Sequence, residues 1–99
     1  MEERMERIRR MERLFDFVLK AIKEHPMPLD KYEEAKKAIV SLSEYYDSKE
    51  WRQDYEADEA GLLPKDLKRG VLSEDGIWNL LSDWRKLEVR FWSLRENQL

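Results

Sequence analysis

Three observations predict an all-α fold for this chain: its composition, the spacing of its apolar residues, and the confinement of its prolines and glycines to two windows. Ala, Glu, Lys, Leu and Arg number 5, 14, 9, 13 and 10, or 51 of the 99 residues, a share that signals long helices when periodicity accompanies it. Four Val, four Ile and no Thr are too few β-branched residues to furnish a sheet. Pro26, Pro28, Gly61, Pro64, Gly70 and Gly76 mark the breaks, because these residues end or interrupt helices. The prediction is a three-helix bundle with long helices at about 3–24, 30–47 and 74–97, plus an extra short helix and an ordered irregular segment at 48–72. With no internal repeat and no Gly/Ser linker, residues 1–99 are expected to form a single domain.

In the first block Ile8, Met11, Phe15, Val18 and Ile22 repeat at 3-4-3-4 spacing, and Met5, Leu14 and Leu19 widen the stripe. Glu3–Arg7 and Glu6–Arg10 stand acid before base at i,i+4, an arrangement worth a few tenths of a kcal/mol. Lys23 and His25 suit the negative pole of the helix, and Pro26 stops it. The second block opens on Asp30 as N-cap, with Glu33 three residues on. Tyr32, Ala35, Ile39, Leu42 and Tyr46 then keep the helical spacing. The connector is short, so the first two helices are expected to form an antiparallel hairpin.

Ser48 is placed to cap a short helix through Trp51 and Tyr55 that ends at Gly61. The third long helix is expected to start from Ser73 as N-cap, with Glu74 and Asp75 in its first turn and a Leu72–Ile77 hydrophobic staple. Its main stripe is Ile77, Leu80, Trp84, Leu87, Phe91 and Leu94, and a second stripe of Trp78, Leu81, Val89 and Trp92 lies beside it. A face that broad exceeds what one neighbouring helix covers. The 48–72 segment is expected to fold back on the frame, burying Trp51, Leu63 and Leu67.

Charge is distributed unevenly. Lys+Arg is 19 and Asp+Glu 22, for a net −3 and an isoelectric point near 5.3. Residues 44–60 hold seven acids and two bases, or −5, so the rest of the chain sums to +2. This balance offers no general attraction to nucleic acid or to an anionic membrane. Without cysteine there is no thiolate nucleophile and no zinc–thiolate site. His25 is the sole histidine, which excludes a two-histidine metal site. None of the six serines stands in a Gly-x-Ser-x-Gly elbow, and no phosphate-binding Gly-Lys-Ser loop or Asp-x-Asp-x-Asp-Gly calcium loop is present. No enzyme, metal or cofactor is therefore expected. The charged N-terminus lacks the apolar run of a signal peptide, and no apolar stretch has the roughly 20 residues of a membrane span, so the cytoplasm is the expected setting.

The middle of the chain reads Tyr45-Tyr46-Asp-Ser48-Lys-Glu-Trp51, then Gly61-Leu-Leu-Pro64, then Gly70-Val-Leu-Ser73-Glu-Asp75. This paired Tyr, Ser before Trp, Gly-x-x-Pro element and Gly-Val-Leu-Ser-Glu-Asp string resemble a small bacterial family known as domain of unknown function 4298. The resemblance spans nearly the whole chain. It implies a compact helical domain of bacterial or phage origin and brings no activity or catalytic residue with it. Gly76 departs from the expected pattern, since a better helix former suits a helix start.

The acidic window carries the functional expectation. It reads either as a solvated helix face with two caps, as a docking surface for a basic partner, or as a divalent metal site in which Asp54, Asp58 and Glu59 share a face. The interleaved aromatics, Tyr45, Tyr46, Trp51 and Tyr55, suit either a half-buried seam or a binding hot spot. Lys65, Lys68 and Arg69 either grip a phosphate or pair with the neighbouring acids. The expectation is a non-catalytic protein–protein interaction module that docks a basic protein through Tyr46, Trp51, Asp54, Tyr55, Asp58 and Glu59. Two other readings stand beside it. One is an acidic nucleic-acid mimic that inhibits a DNA- or RNA-handling enzyme. The other is a homodimerisation module closed by Trp78 and Trp92, which lie at i and i+14 on nearly the same side of the third helix.

Overall fold

The computed structural model describes residues 2–24 and 26–97, with side chains as far as Ser93. Four helices form, α1 (Glu2–Ile22), α2 (Leu29–Tyr46), α3 (Lys49–Glu59) and α4 (Gly76–Asn97), with a single 3-10 turn at Gly70–Leu72. Among the described residues there is no strand. The long helices α1, α2 and α4 pack on one another as the expected bundle. α3 packs on α2 and on the 3-10 turn, which in turn lies against α1 and α4.

The body is elongated along the long helices. It measures 52 × 19 × 17 Å with a radius of gyration of 15.2 Å, against about 13 Å for a rounded domain of this size. The cause is helix length, since the 22 residues of α4 alone span about 33 Å at 1.5 Å per residue.

The helical stripes read from the sequence supply the core. α1 contributes Ile8, Met11 and Val18, α2 contributes Tyr32, Ala35, Ile39 and Leu42, and α4 contributes Ile77, Leu80 and Trp84. Val71 and Leu72 of the 3-10 turn, and Leu63 and Leu67 before it, close one end. Phe15, Leu87, Phe91 and Trp51 are half-buried against this cluster. Tyr32 is central to the upper layer. Its ring stacks on Phe91 at 4.3 Å and on Trp84 at 5.4 Å.

Several helix boundaries differ from expectation. Pro28, not Asp30, occupies the N-cap of α2; its carbonyl accepts the Tyr32 N–H, and proline suits the entry because it has no N–H to satisfy. Ser73 does not cap α4. It closes the 3-10 turn instead, where its hydroxyl donates to the Gly70 carbonyl at 2.9 Å, so α4 begins at Gly76 rather than at 74. Ser48 does cap α3, accepting the Trp51 N–H at 3.2 Å. At the other end of α3, Gly61 takes the left-handed conformation at φ 73°. Its N–H bonds to the Asp58 carbonyl and the Leu62 N–H to the Ala57 carbonyl, which is the Schellman arrangement. His25 and the Leu94 side chain lie outside the described residues.

Gly76 has a structural reason. A Cβ there would run into the Gly70 carbonyl oxygen and would sit 2.5 Å from Ser73 Oγ. The 3-10 turn and the first turn of α4 share that space, and only a residue without a side chain leaves room for both. Gly76→Ala therefore sets a helix-propensity gain of about 1 kcal/mol against an overpacking cost of about 1–3 kcal/mol. The obstacle is backbone, so the clash wins. Urea unfolding of Gly76→Ala is expected to show a lower midpoint than wild type, and a raised midpoint would refute the close approach.

Candidate functional site

The acidic window folds as α3 and its flanks, and the structure separates its carboxylates into internal and external sets. Asp54 is internal, with 0% of its side chain exposed. α3 turns Asp54 and Ala57 inward toward the N-terminal end of α1, where Arg4 and Arg7 share a face at i,i+3. Arg7 holds the carboxylate at two points, Nε to Oδ2 at 2.9 Å and Nη2 to Oδ1 at 2.6 Å. Arg4 Nε donates to Oδ1 at 3.1 Å and the Tyr45 hydroxyl donates to Oδ2 at 2.7 Å. Each oxygen thus accepts two bonds, and the charge is met by a two-point guanidinium contact of the strong, planar kind.

The same contacts displace the neighbours' acidities. The hydrogen bond to Asp54 raises the Arg7 pKa above its ordinary value. Burial, then the bond to Asp54, pushes the Tyr45 hydroxyl well above the usual phenol range. Asp54 is therefore removed from the expected docking surface. It faces α1 and α2 and is fully buried in the folded chain. The Arg7 guanidinium that was expected to pair with Glu3 belongs to this cluster instead.

Asp58 is internal in a second way. It forms an ion pair with Arg69 Nη1, while Arg69 Nη2 donates to the Pro64 carbonyl at 2.7 Å. Lys68 reaches Asp16 of α1 at 3.5 Å. Two of the three bases at 65–69 thus tie the irregular segment to acids on α1 and α3. Among the described residues no group of three or more His, Asp or Glu converges as a metal site would require, so Asp54, Asp58 and Glu59 do not meet at one point.

The aromatics of the window form a ladder. Tyr46 meets Trp51 edge to face at 5.0 Å, and Trp51 stacks on Tyr55 at 5.2 Å. Their polar ends converge on the segment that leads into α4. Trp51 Nε1 donates to the Val71 carbonyl at 2.8 Å, the Tyr55 hydroxyl to Glu74 Oε1 at 2.8 Å, and the Tyr46 hydroxyl points at the Glu74 carbonyl at 3.5 Å. The ladder clamps residues 71–74 to α3 and leaves a half-buried rim. Tyr55 sits there among carboxylates. The bond to Glu74, with further repulsion from Glu59, Glu74 and Asp58, pushes its phenol up to about 12.

From α1, Glu12 reaches under the same segment. Its side chain is only 7% exposed, and Oε1 accepts the Val71 N–H at 2.7 Å. Burial raises its pKa above the ordinary 4.5, with the Val71 N–H acting in the opposite sense. Glu12 and Arg4 were not singled out from sequence, Arg7 was placed only in a surface pair with Glu3, and Tyr45 only among the aromatics of the window. The available signal was their position, since Glu12 stands between Ile8 and Phe15 on a stripe that is otherwise apolar.

On α4, Trp92 and Trp78 differ. Trp92 Nε1 donates to the Tyr32 hydroxyl at 3.0 Å, and that hydroxyl donates to Glu88 at 2.7 Å. Trp92 is thus held by its own chain although 47% exposed, whereas Trp78 is 62% exposed and Val89 68%.

Fold and site together define a small all-α bundle whose acidic middle segment is cross-braced by buried carboxylates. The family model described as Domain of unknown function (DUF4298) matches residues 8–94, and the chain belongs to that family. No curated protein and no solved structure matches the chain.

Removing the Asp54 carboxylate leaves two guanidinium groups and a buried phenol without their acceptor. Asp54→Ala is expected to cost about 3 kcal/mol, the lower end for breaking a buried pair, because the arginine side chains remain 28% and 24% exposed and water meets part of their need. Chemical unfolding followed by tryptophan fluorescence measures the loss, and a change under about 0.5 kcal/mol, the range of a surface substitution, would contradict the buried cluster.

For Glu12 the folded pKa lies above the unfolded value, so its contribution is complete below about 4.5 and is lost as pH rises through the folded value. Glu12→Gln keeps an acceptor for Val71 without the charge, and its stability relative to wild type is expected to increase from pH 4 toward neutrality. Glu12→Ala orphans the Val71 N–H and costs about 1–3 kcal/mol relative to Glu12→Gln at every pH. Parallel stability curves for Glu12→Gln and wild type would show that the buried charge has no such effect.

Proposed function

We propose that this chain is a non-catalytic protein–protein interaction module of a bacterial or phage-associated cytoplasmic protein, docking a basic partner at the rim of the aromatic ladder. The observation that carries this reading is the set of carboxylates left outside. With Asp54 and Asp58 engaged internally, Glu44, Asp47, Glu50, Glu56, Glu59, Glu74 and Asp75 are exposed around α3 and its neighbouring turn, against only Lys49 and Arg52. The α4 entry thus replaces the two acids that the interior removes.

Within this surface Tyr55, Glu59 and Glu74 supply the docking groups, joined by the half-buried edges of Tyr46 and Trp51. An arginine or lysine of the partner would lie on the aromatic rim, where cation–π attraction contributes about 0.5–1 kcal/mol at an exposed site. The carboxylates would steer approach and set orientation more than they would add affinity. A nucleic-acid mimic draws less support, since two of the seven carboxylates of the window are internal and the exposed ones surround aromatic edges. No helix among the described residues is long and apolar enough to cross a membrane.

A labelled Arg/Lys-rich dodecapeptide tests the reading. It is expected to bind at low salt and quench Trp51 emission, with affinity falling as salt screens the surface. The triple substitution Glu59→Gln, Glu74→Gln, Asp75→Asn is expected to weaken it by about tenfold. A control triple on α2, Glu33→Gln, Glu34→Gln and Asp30→Asn, is expected to leave it unchanged. Equal weakening by both triples, or no binding at low salt, would overturn the proposal.

A further inference from the structure

A cleft of about 360 Å³ separates α1 from the segment that precedes the 3-10 turn. That volume is at the small end of ligand pockets. One strip of α1 lines it. At 100° per residue Glu12 lies nearest the core, Asp16 and Arg9 lie about 40° and 60° further round, and Arg13 about 100°. Exposure follows the same order, with Glu12 buried, Asp16 half-buried, and Arg9 and Arg13 exposed. Asp66, Leu67 and Lys68 line the other side, and Leu67 is buried. The cleft thus has a floor of one carboxyl group and one leucine, and a rim of two guanidinium groups.

Arg9 and Arg13 are each followed by an acid at i+3, a usual helical partner. Neither pair forms. Glu12 is drawn to the 3-10 turn, where Oε1 accepts the Val71 N–H at 2.7 Å. Asp16 is drawn across the cleft to Lys68 at 3.5 Å. Among the described residues both arginines are left without an ion pair or hydrogen bond. They stand one turn apart, about 6 Å along the axis. The Lys68–Asp16 pair cancels within itself, so the unmet cations of the cleft are Arg9 and Arg13. Glu12 and the exposed Asp66 present the opposite need. A carboxylate has about four acceptor positions, and for Glu12 the backbone N–H groups of Gly70 and Val71 fill two at most.

We propose that the cleft binds a small organic phosphate monoester that also carries hydroxyl groups. The phosphate sits between Arg9 and Arg13, and the hydroxyls donate to Glu12 and Asp66 above Leu67. Two guanidinium groups one turn apart match a dianion with three terminal oxygens, which presents an edge to each. A carboxylate ligand has a single edge and a single charge, and it satisfies one of them. Neutral hydroxyls bring donors to the two carboxylates without adding charge beside the arginines. Lys68 and Arg69, the bases that suggest a phosphate grip in the sequence, are engaged by Asp16 and Asp58, and that role passes to α1. The site shares no residue with the docking rim and does not rest on it.

Ribose 5-phosphate is the probe, titrated into the nitrogen-15-labelled full chain at constant ionic strength, above the second phosphate pKa of about 6. The Leu67, Lys68 and Val71 amide signals are expected to shift and saturate with a Kd of about 1 mM or below. Inorganic phosphate and ribose, each alone, are expected to bind about tenfold more weakly or worse. Arg9→Gln with Arg13→Gln is expected to weaken the probe by about tenfold or more, with an unchanged urea midpoint because both side chains are exposed. Arg10→Gln with Lys20→Gln removes the same charge elsewhere on α1 and is expected to leave the affinity unchanged. In Glu12→Gln the amide carbonyl stays with the Val71 N–H and the NH2 group cannot accept. That change is expected to weaken ribose 5-phosphate by about fivefold without weakening inorganic phosphate. No saturable shift up to about 20 mM, or equal weakening by the two double substitutions, would overturn the site. Equal affinity for inorganic phosphate and ribose 5-phosphate, or a Glu12→Gln variant that binds the probe as wild type does, would overturn the hydroxyl-bearing class.

Discussion

The carboxylate of Asp54 accepts four hydrogen bonds from three side chains on two other helices, and the arrangement of the acidic segment depends on that joint. A buried carboxylate is costly unless its charge and its lone pairs are all met. Here Arg7 meets it at two points, Arg4 and Tyr45 complete it, and among the described residues no buried polar side-chain atom lacks a partner. The helix that carries Asp54 has only 11 residues and is too short to be stable alone. Its position against α1 and α2 is specified by a contact with one register, since sliding α3 by a turn would strand the charge. Packing of Ala57 and Trp51 supplies attraction. The carboxylate supplies the address.

A second buried acid works on the next segment in the same manner. Glu12 holds the backbone of the 3-10 turn from below, while Trp51 and Tyr55 hold it from α3. Between them the two acids link α1 to everything from α3 to the start of α4. The net effect is to sort charge by position. Carboxylates that brace the fold point inward onto arginines or backbone N–H groups, and those free to meet a partner collect around the aromatic rim. Function, in the proposed reading, uses what the folding contacts leave over.

Much of this architecture was legible in the sequence. The 3-4 spacing of Ile8, Met11 and Val18, of Tyr32, Ala35, Ile39 and Leu42, and of Ile77, Leu80 and Trp84 placed the three long helices and their core, because apolar periodicity reports directly on burial. Ser48 and Gly61 bounded α3 correctly for the same kind of local reason. Less legible were contacts whose partners are remote in sequence. Ser73 is a good N-cap type, but the Gly70 carbonyl competes for its hydroxyl. Gly76 looked like a poor helix former until the 3-10 turn occupied the space its Cβ would need. Asp54 counted as surface because charge usually is. The contrary signal was its place on the inward side of α3, between Trp51 and Ala57 at i−3 and i+3, but nothing local named Arg4 and Arg7, some fifty residues away, as its partners.

Asp54 is a structural joint. A double-mutant cycle between Arg7 and Asp54, using Arg7→Ala, Asp54→Ala and the pair in equilibrium urea unfolding, isolates the interaction from the other consequences of each change. The expected coupling free energy is about 2 kcal/mol or more, toward the upper part of the range for directly contacting groups. A coupling below about 0.5 kcal/mol, as measured between independent sites, would contradict it and return Asp54 to the surface.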